Sequence, residues 1–473
     1  MEKDIGLYEL IFAYFESQIL FGYHRYGDRL PSISQICETF QVGRNTVRLA
    51  FRRLNEKGYI QSEERKASVV VYKGTPEEFE KNRAQYFVPR QDGIRDFSGA
   101  AKLLFLPALD KRTRKTAGLE DAVSCQKKHE RLINEAPPVV RFGVYTLAPL
   151  KNELLLNLYW ECMRYVSFLY YDYKKEDYDL MAKEFPQGQV LQLEDGIYSV
   201  KRQEVLRFAE SACKKYHLEA TKPIPFKWNI YRQRPQLKYS LAAQIISSIF
   251  WGDYPIGSFL PSLSNIAQRY GVSLMTVRRT LALLNTLGVT QSYRGSGTKI
   301  CMDAIPSTIP SPDIQEDLRL HRESLQLLAM TIRGVMMYTL KAVSEDRKTQ
   351  LIQELSLVRE RKQGFLCFGV ILNFICENCP SAMVRECYGR LKEFIVWGCI
   401  IALPMLKSEQ FNTMHNDGIQ RMETHLENGD EKAFARDCQT LMLAHLKNNS
   451  KNIGTFADDW RSMSDHTEMN LKL

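Results

Sequence analysis

No run in this 473-residue chain is both apolar and uncharged for long enough to cross a bilayer. A spanning helix needs roughly 18–20 such residues. The two nearest approaches, Phe365–Cys376 and Phe394–Leu406, fall short and read as buried helices. A signal-like N-terminus is also missing. Cysteine occurs eleven times, but without the regular spacing of a disulfide framework. That usage points to a reducing interior and a cytoplasmic location. Nothing has the spacing of a zinc protease, a serine hydrolase elbow or a dinucleotide fold. Arg294–Lys299 lacks the first glycine and the contiguous Gly-Lys-Ser/Thr of a phosphate loop, so a hairpin tip explains it better. Cys376-Glu377-Asn378-Cys379 is a C-x-x-C, yet it lies in an apolar helical stretch, where free cysteine is usually buried. These absences argue against a membrane protein and an enzyme. No catalytic residue, metal ligand or cofactor is expected.

What the chain does contain is ordinary in bulk. Apolar residues make up 44% and charged residues 25%, as in soluble globular proteins. The length is too great for one core and suggests two to four domains. A net charge of +9 serves solubility and also favours a polyanionic partner.

The informative feature is a repeat. Leu30-Pro31-Ser32-Ile33-Ser34-Gln35-Ile36 returns 230 positions later as Leu260-Pro261-Ser262-Leu263-Ser264-Asn265-Ile266. Val42, Thr46, Val47 and Arg48 return as Val272, Thr276, Val277 and Arg278. Over Gly22–Ser62, 16 of 41 positions are identical at that one offset without a gap. Chance does not do this; the chain holds a duplicated module.

Each copy reads as a winged helix-turn-helix. Leu7, Leu10, Ile11, Tyr14, Phe15 and Ile19 recur at helical spacing. Ser32 with Gln35 three residues on is a capping-box start for a helix over Ile33–Phe40. Gly43, and Ser273 in the second copy, sits at the N-cap of a third helix. Val47, Ala50, Phe51 and Leu54 form its inward stripe, while Arg44, Asn45, Arg48 and Arg52 start its other face. Strands at Tyr59–Glu63 and Ser68–Tyr72 flank a charged tip at Glu64–Lys66. The second copy places its helices at Leu241–Trp251, Leu263–Tyr270 and Leu274–Asn285. Its wing runs from Val289–Tyr293 through Arg294-Gly295-Ser296-Gly297 to Thr298–Met302. In helix-turn-helix proteins the start of the second motif helix enters the major groove. Arg and Asn can pair there with guanine and adenine edges.

The copies differ where reading would occur. Arg44-Asn45 becomes Leu274-Met275, which donate no side-chain hydrogen bonds but can touch a thymine methyl. Pro235–Asp303 carries six Lys/Arg against two Asp, hence +4, and Met1–Lys73 eleven against nine, hence +2. The heads are expected to read different half-sites, the first supplying more of the base discrimination. The rival reading keeps one head only as a docking surface.

At these residues both copies resemble the GntR family of bacterial transcription regulators. Leu-Pro-Ser, the short Ile/Leu-rich helix, Thr-Val-Arg, Leu-Asn-x-x-Gly and the second wing's Gly-Ser-Gly-Thr carry the resemblance. It implies binding of double-stranded DNA through the third helix and wing, with a ligand-sensing domain following the head. The carried-over candidates are Arg44, Thr46, Arg48, Thr276, Arg278 and Gly297; Asn45, Arg52, Ser273, Arg279 and Arg294 join them from the residue reading. Ser34, Ser264 and Leu274 depart from arginines common in the family.

After each head the pattern is helical. Leu150, Leu154, Leu155, Leu158, Cys162, Tyr165, Val166 and Leu169 form one stripe. Helices are expected at Leu320–Ser344, Thr349–Glu360, Phe365–Cys376, Ser381–Leu403, Glu409–Leu426 and Glu431–Leu446. The end of the chain is similar to the all-helical FCD ligand domain of one GntR branch, many of which hold a metal through an Asp and three His. Aligned on Gly429-Asp430, that resemblance puts Ile419 and Leu441 where two histidines would fall, with His415, His425 and His445 off register. The Lys111–Lys115 basic run is a solvated face or an auxiliary phosphate contact.

The expected fold is mainly α with small β wings. A winged helix at 1–74 precedes a helical domain at 75–234, and a second winged helix at 235–303 follows. A Pro-rich acidic linker at 304–317 then leads to a helical domain at 318–473. The expected function is sequence-specific transcription regulation, as a repressor with a small-molecule effector, by a homodimer or a monomeric pseudo-dimer. A replication initiator or architectural DNA-binding protein is the alternative reading, and an enzyme fused to a DNA-binding head a more distant one.

Overall fold

The computed structural model describes residues 5–40, 42–62, 67–116, 147–167, 190–230, 236–302, 312–401 and 409–452. These residues are mainly helical, with two small antiparallel hairpins. By its contacts the chain divides into two units, residues 1–233 with 381–383, and residues 234–380 with 384–473. Each begins with one copy of the repeat.

In the first head α1 (Ile5–Leu20), α2 (Ile33–Phe40) and α3 (Arg44–Glu56) surround an apolar centre. Leu10, Ile11, Phe15 and Ile19 of α1 are buried with Val47, Ala50, Phe51 and Leu54 of α3. Edge-to-face ring pairs bind the layers: Phe15 meets Phe51 at 5.5 Å and Tyr14 meets Phe40 at 5.3 Å. The capping box at Ser32 forms in both directions. Gln35 N–H donates to Ser32 Oγ at 3.2 Å, and Ser32 N–H donates to Gln35 Oε1 at 2.9 Å. The wing pairs β1 (Ile60–Gln61) with β2 (Val69–Val70), and an isolated bridge joins Arg29 to Val69 at its edge. Its charged tip lies outside the described residues.

Gly22 turns the chain after α1 with φ +82°, and a Cβ there would stand 2.8 Å from the Phe79 ring. A left-handed L-residue and an overpacked contact each cost energy. Gly22→Ala is expected to lower unfolding free energy by about 2 kcal/mol or more. Urea denaturation of the full chain measures it, and an unchanged midpoint would show that Phe79 moves aside freely.

Behind the first head, Thr75 starts α4 (Pro76–Phe87) with a second reciprocal capping box to Glu78. α5 (Gln91–Thr116), α6 (Glu153–Tyr165) and α7 (Val190–Lys215) follow. Leu154, Leu155, Leu158, Cys162 and Val166 are buried, as the stripe requires; Leu169 falls outside the described residues. Trp228 is fully buried and donates from Nε1 to Asn157 Oδ1 at 2.8 Å. Arg164 links α6 back to the head, 2.6 Å from Glu161 and 3.5 Å from Glu9.

The second head repeats the plan with α8 (Gln236–Phe250), α9 (Leu263–Tyr270) and α10 (Leu274–Thr286). Its wing is longer and fully paired, β3 (Thr290–Tyr293) against β4 (Gly297–Ile300) from Thr290↔Ile300 to Tyr293↔Gly297. Then α11 begins at Pro312, inside the stretch expected as linker. Proline suits a first helical position, because its missing N–H is one no helix start can use. Residues 303–311 fall outside the described residues.

The rest of the second unit comprises α12 (Glu345–Glu360), α13 (Cys367–Asn378), α14 (Ala382–Ile401), α15 (Glu409–Glu427) and α16 (Glu431–Asn452). These match the expected helices closely. α11 packs along α16, and α15 and α16 form an antiparallel hairpin turning at Gly429, φ +72°. Arg359 pairs with the buried Glu423 at 3.0 Å and Lys348 with Glu431 at 2.6 Å.

Candidate nucleic-acid interface

Helix α3 presents one arginine per turn. Arg44, Arg48 and Arg52 are four residues apart and all exposed, with Asn45 exposed beside the first. Spacing of four keeps them on one face. Among the described residues none of the three arginines is held by a carboxylate. Burial pushes the Cys37 thiol of α2 up, while the positive charge of Arg44 and Arg48 pulls it down. The start of α3 has no side-chain cap at Gly43, so its first N–H groups remain available to an anion.

Thr46 departs from expectation. It is 1% exposed, and its hydroxyl has no hydrogen-bond partner. The second copy shows why. Ser273 caps α10, its Oγ accepting from Thr276 N–H at 3.1 Å and lying 2.9 Å from the Thr276 hydroxyl. Glycine at position 43 offers no such partner, and Thr46 turns inward. It contributes to the head's interior rather than to an open face.

In α10 the exposed cations are Arg278 and Arg279; Ser273 is exposed and Thr276 half-buried. Leu274 and Met275 stand in the open at 46% and 53% exposure. The wing adds Arg294 at its tip, exposed, on a turn closed by Ser296 N–H donating to Tyr293 O at 3.2 Å. Gly295 and Gly297 take φ of +81° and +101°. That backbone suits glycine alone and leaves the tip narrow enough to approach a phosphate.

One exposed cation escaped the sequence reading. Arg29, directly before Leu-Pro-Ser, lies at the wing edge through its bridge to Val69, and Phe259 occupies the matching place against Lys299. Its position relative to the repeat was the available signal. Arg44, Arg48 and Arg52 of α3 and Arg29 in the first head, and Arg278, Arg279 and the wing's Arg294 in the second, give each head an open, cationic surface. Such a surface can hydrogen-bond base edges and phosphate oxygens.

The model of the family described as bacterial regulatory proteins, gntR family, matches residues 7–70 and 237–300. Both heads are GntR-family domains. The two matches begin and end 230 residues apart, the offset of the repeat. An HTH-type transcriptional repressor of Salmonella typhimurium is 42% identical over 50 residues, 11% of this chain and 21% of that protein. The match thus spans about a fifth of that relative's length. Among solved structures, Streptococcus agalactiae GntR is 14% identical, covering 45% of this chain and 99% of its own, with a TM-score of 0.22. E. coli McbR/YncC is also 14% identical, covering 47% and 100%, with a TM-score of 0.27. Superpositions that loose add nothing to the assignment.

The C-x-x-C and the histidines near the end of the chain remain. Cys379 is buried, and burial pushes the Cys376 thiol up to about 11. A reactive thiolate needs the opposite shift. Ile419 and Leu441 are buried core residues of the α15–α16 hairpin. His415 and His445 lie one helical turn farther from the hairpin loop on each helix, with ring centroids 5.6 Å apart and the Phe368 ring against both. His425 instead stands 3.5 Å from Asp437. Among the described residues no group of three or more His, Cys, Asp or Glu is placed to hold a metal ion. No described helix is long and apolar enough to cross a membrane.

Proposed function

We propose that the protein is a sequence-specific DNA-binding transcription regulator that works as a repressor in the cytoplasm. The observation that carries this reading is the exposed arginines of α3 in the first head, and of α10 and its wing in the second, on corresponding elements of two domains that match the gntR family. Two heads on one chain supply two reading units without a second copy, which favours a pseudo-dimer over an obligate homodimer. Arg44, Asn45, Arg48 and Arg52 face base edges and phosphates in the first head, and Arg278, Arg279, Arg294 and Gly297 do so in the second. Ser273 and Thr276 hold the start of α10 in place.

The test is binding of the full chain to a randomised duplex pool, followed by salt titration on a selected duplex. Each neutralised phosphate contributes about 0.9 to the slope of log affinity against log salt. Arg294→Gln is expected to lower that slope by about 1, while leaving the selected sequence unchanged. An unchanged slope would take the second wing off the DNA.

Repression is taken to be modulated by a small molecule held in the helical segment 318–473. The support is a buried polar interior there, with His321, His415, His445 and Glu423 among apolar neighbours. Burying a polar group is costly unless a hydrogen bond or a charge partner meets it, as Phe394 O does for His321 and Arg359 for Glu423. A metabolite fraction that raises Tm should also release the selected duplex. Stabilising fractions that leave DNA affinity untouched would reject the coupling.

A further inference from the structure

The heads diverge at their exposed tips and agree in their interiors. Val47 and Val277, and Leu54 and Leu284, are all fully buried pairs at the 230-residue offset. At the same offset, the exposed Arg44 and Asn45 are replaced by Leu274 and Met275, themselves about half exposed. No packing need of the second head explains the exchange, because neither side chain is buried in it. Exposed leucine and methionine at adjacent positions gain nothing from water.

Everything else a reading helix requires is kept. Ser273 caps α10, Arg278 keeps the place of Arg48, and Arg279 adds a cation where the first head has Leu49. The head carries +4, denser than the first, and its wing pairs at four positions, from Thr290↔Ile300 to Tyr293↔Gly297. A protein docked there would have to carry an acidic face matched to that charge, which any DNA duplex already presents. Charge complementarity therefore keeps DNA as the partner, with an apolar tip at the groove floor. In the major groove the one apolar group on a base edge is the thymine C5-methyl.

Resting on the regulator reading above, we infer that the second head selects thymines through their methyl groups. Leu274 and Met275 lie over two neighbouring thymines, while Arg278 and Arg279 hold the flanking backbone. The first head reads purine edges through Arg44 and Asn45. The operator is accordingly asymmetric, with one half defined by hydrogen bonding and the other by methyl contact.

Deoxyuridine in place of thymidine removes the methyl and preserves every hydrogen-bonding edge. The experiment selects a duplex with the full chain from a randomised pool, then replaces its thymines one at a time with deoxyuridine. Burial of one methyl corresponds to about fourfold in affinity. Two adjacent thymines in one half should each show a loss of about that size, and Leu274→Ala with Met275→Ala should abolish both losses. Because both side chains are exposed, the variant keeps its fold, which an unchanged Tm and an unchanged salt slope from Arg278, Arg279 and Arg294 report. Losses that persist in the variant, or thymines that tolerate uracil throughout, overturn the inference while leaving the regulator reading intact. Failure to select any sequence overturns the regulator reading itself.

Discussion

Arg44→Ala combined with Arg48→Ala is expected to weaken the selected duplex by about 2–6 kcal/mol, taking 1–3 for each base contact. The two side chains project from successive turns of α3 and are exposed, so neither holds the head together. Surface changes away from packed features usually stay within about 0.5 kcal/mol of stability. Binding should therefore collapse while Tm hardly moves. Footprinting with the double variant checks the first half and calorimetry the second. If the footprint survives, base reading lies elsewhere, and the open face of α3 serves only the phosphates. Arg48→Ala alone has a built-in comparison in Arg278→Ala, its counterpart 230 residues on. The second is expected to cost less sequence selectivity, since its neighbours Leu274 and Met275 make no hydrogen bonds.

Acid should unfold this protein at a milder pH than its carboxylates alone would require. His321 is 1% exposed, and burial lowers its pKa to about 4, partly offset by the hydrogen bond to Phe394 O at 2.9 Å. A carbonyl only accepts, so Nδ1 carries the proton of the neutral ring. His445 is held well below the usual range by burial, then by the nearby His415 and His321. Both rings are neutral in the folded protein and take up a proton on unfolding once pH falls below about 6.5. The unfolded state then binds more protons, so stability falls with pH. For His321 the loss develops between about 6.5 and 4 and amounts to roughly 3 kcal/mol. Urea titrations of the full chain at pH 7.5, 6, 5 and 4.5 measure the slope. His321→Gln, which keeps a donor but cannot titrate, should flatten it. Equal slopes in the two proteins would mean that His321 is solvated in the native state.

The winged helices were legible in the sequence because their determinants are local. Ser32 and Gln35 cap each other three residues apart. Glycines at 22, 27, 58 and their echoes take positive φ where the chain must turn. An apolar period of three to four residues marks the inward faces of α1 and α3. The repeat then supplied a second witness, since two copies agree on what the core needs and differ on what it does not. The helices of the second helical segment were legible in number and order from the same apolar period, while their ends shifted by up to eight residues, as where α11 begins at Pro312 rather than Leu320.

Long-range contact settled the rest. Arg29 joins the wing only because a bridge to Val69 places it there. His415 and His445 are thirty residues apart in sequence and meet only because α15 and α16 fold back on each other. Sequence fixes period, caps and turns through neighbours a few bonds away, and from these came the two heads and their order. Burial and charge environment are set by whichever side chains other segments bring near, so only the folded chain decided which cations stay open and which polar groups are shut in.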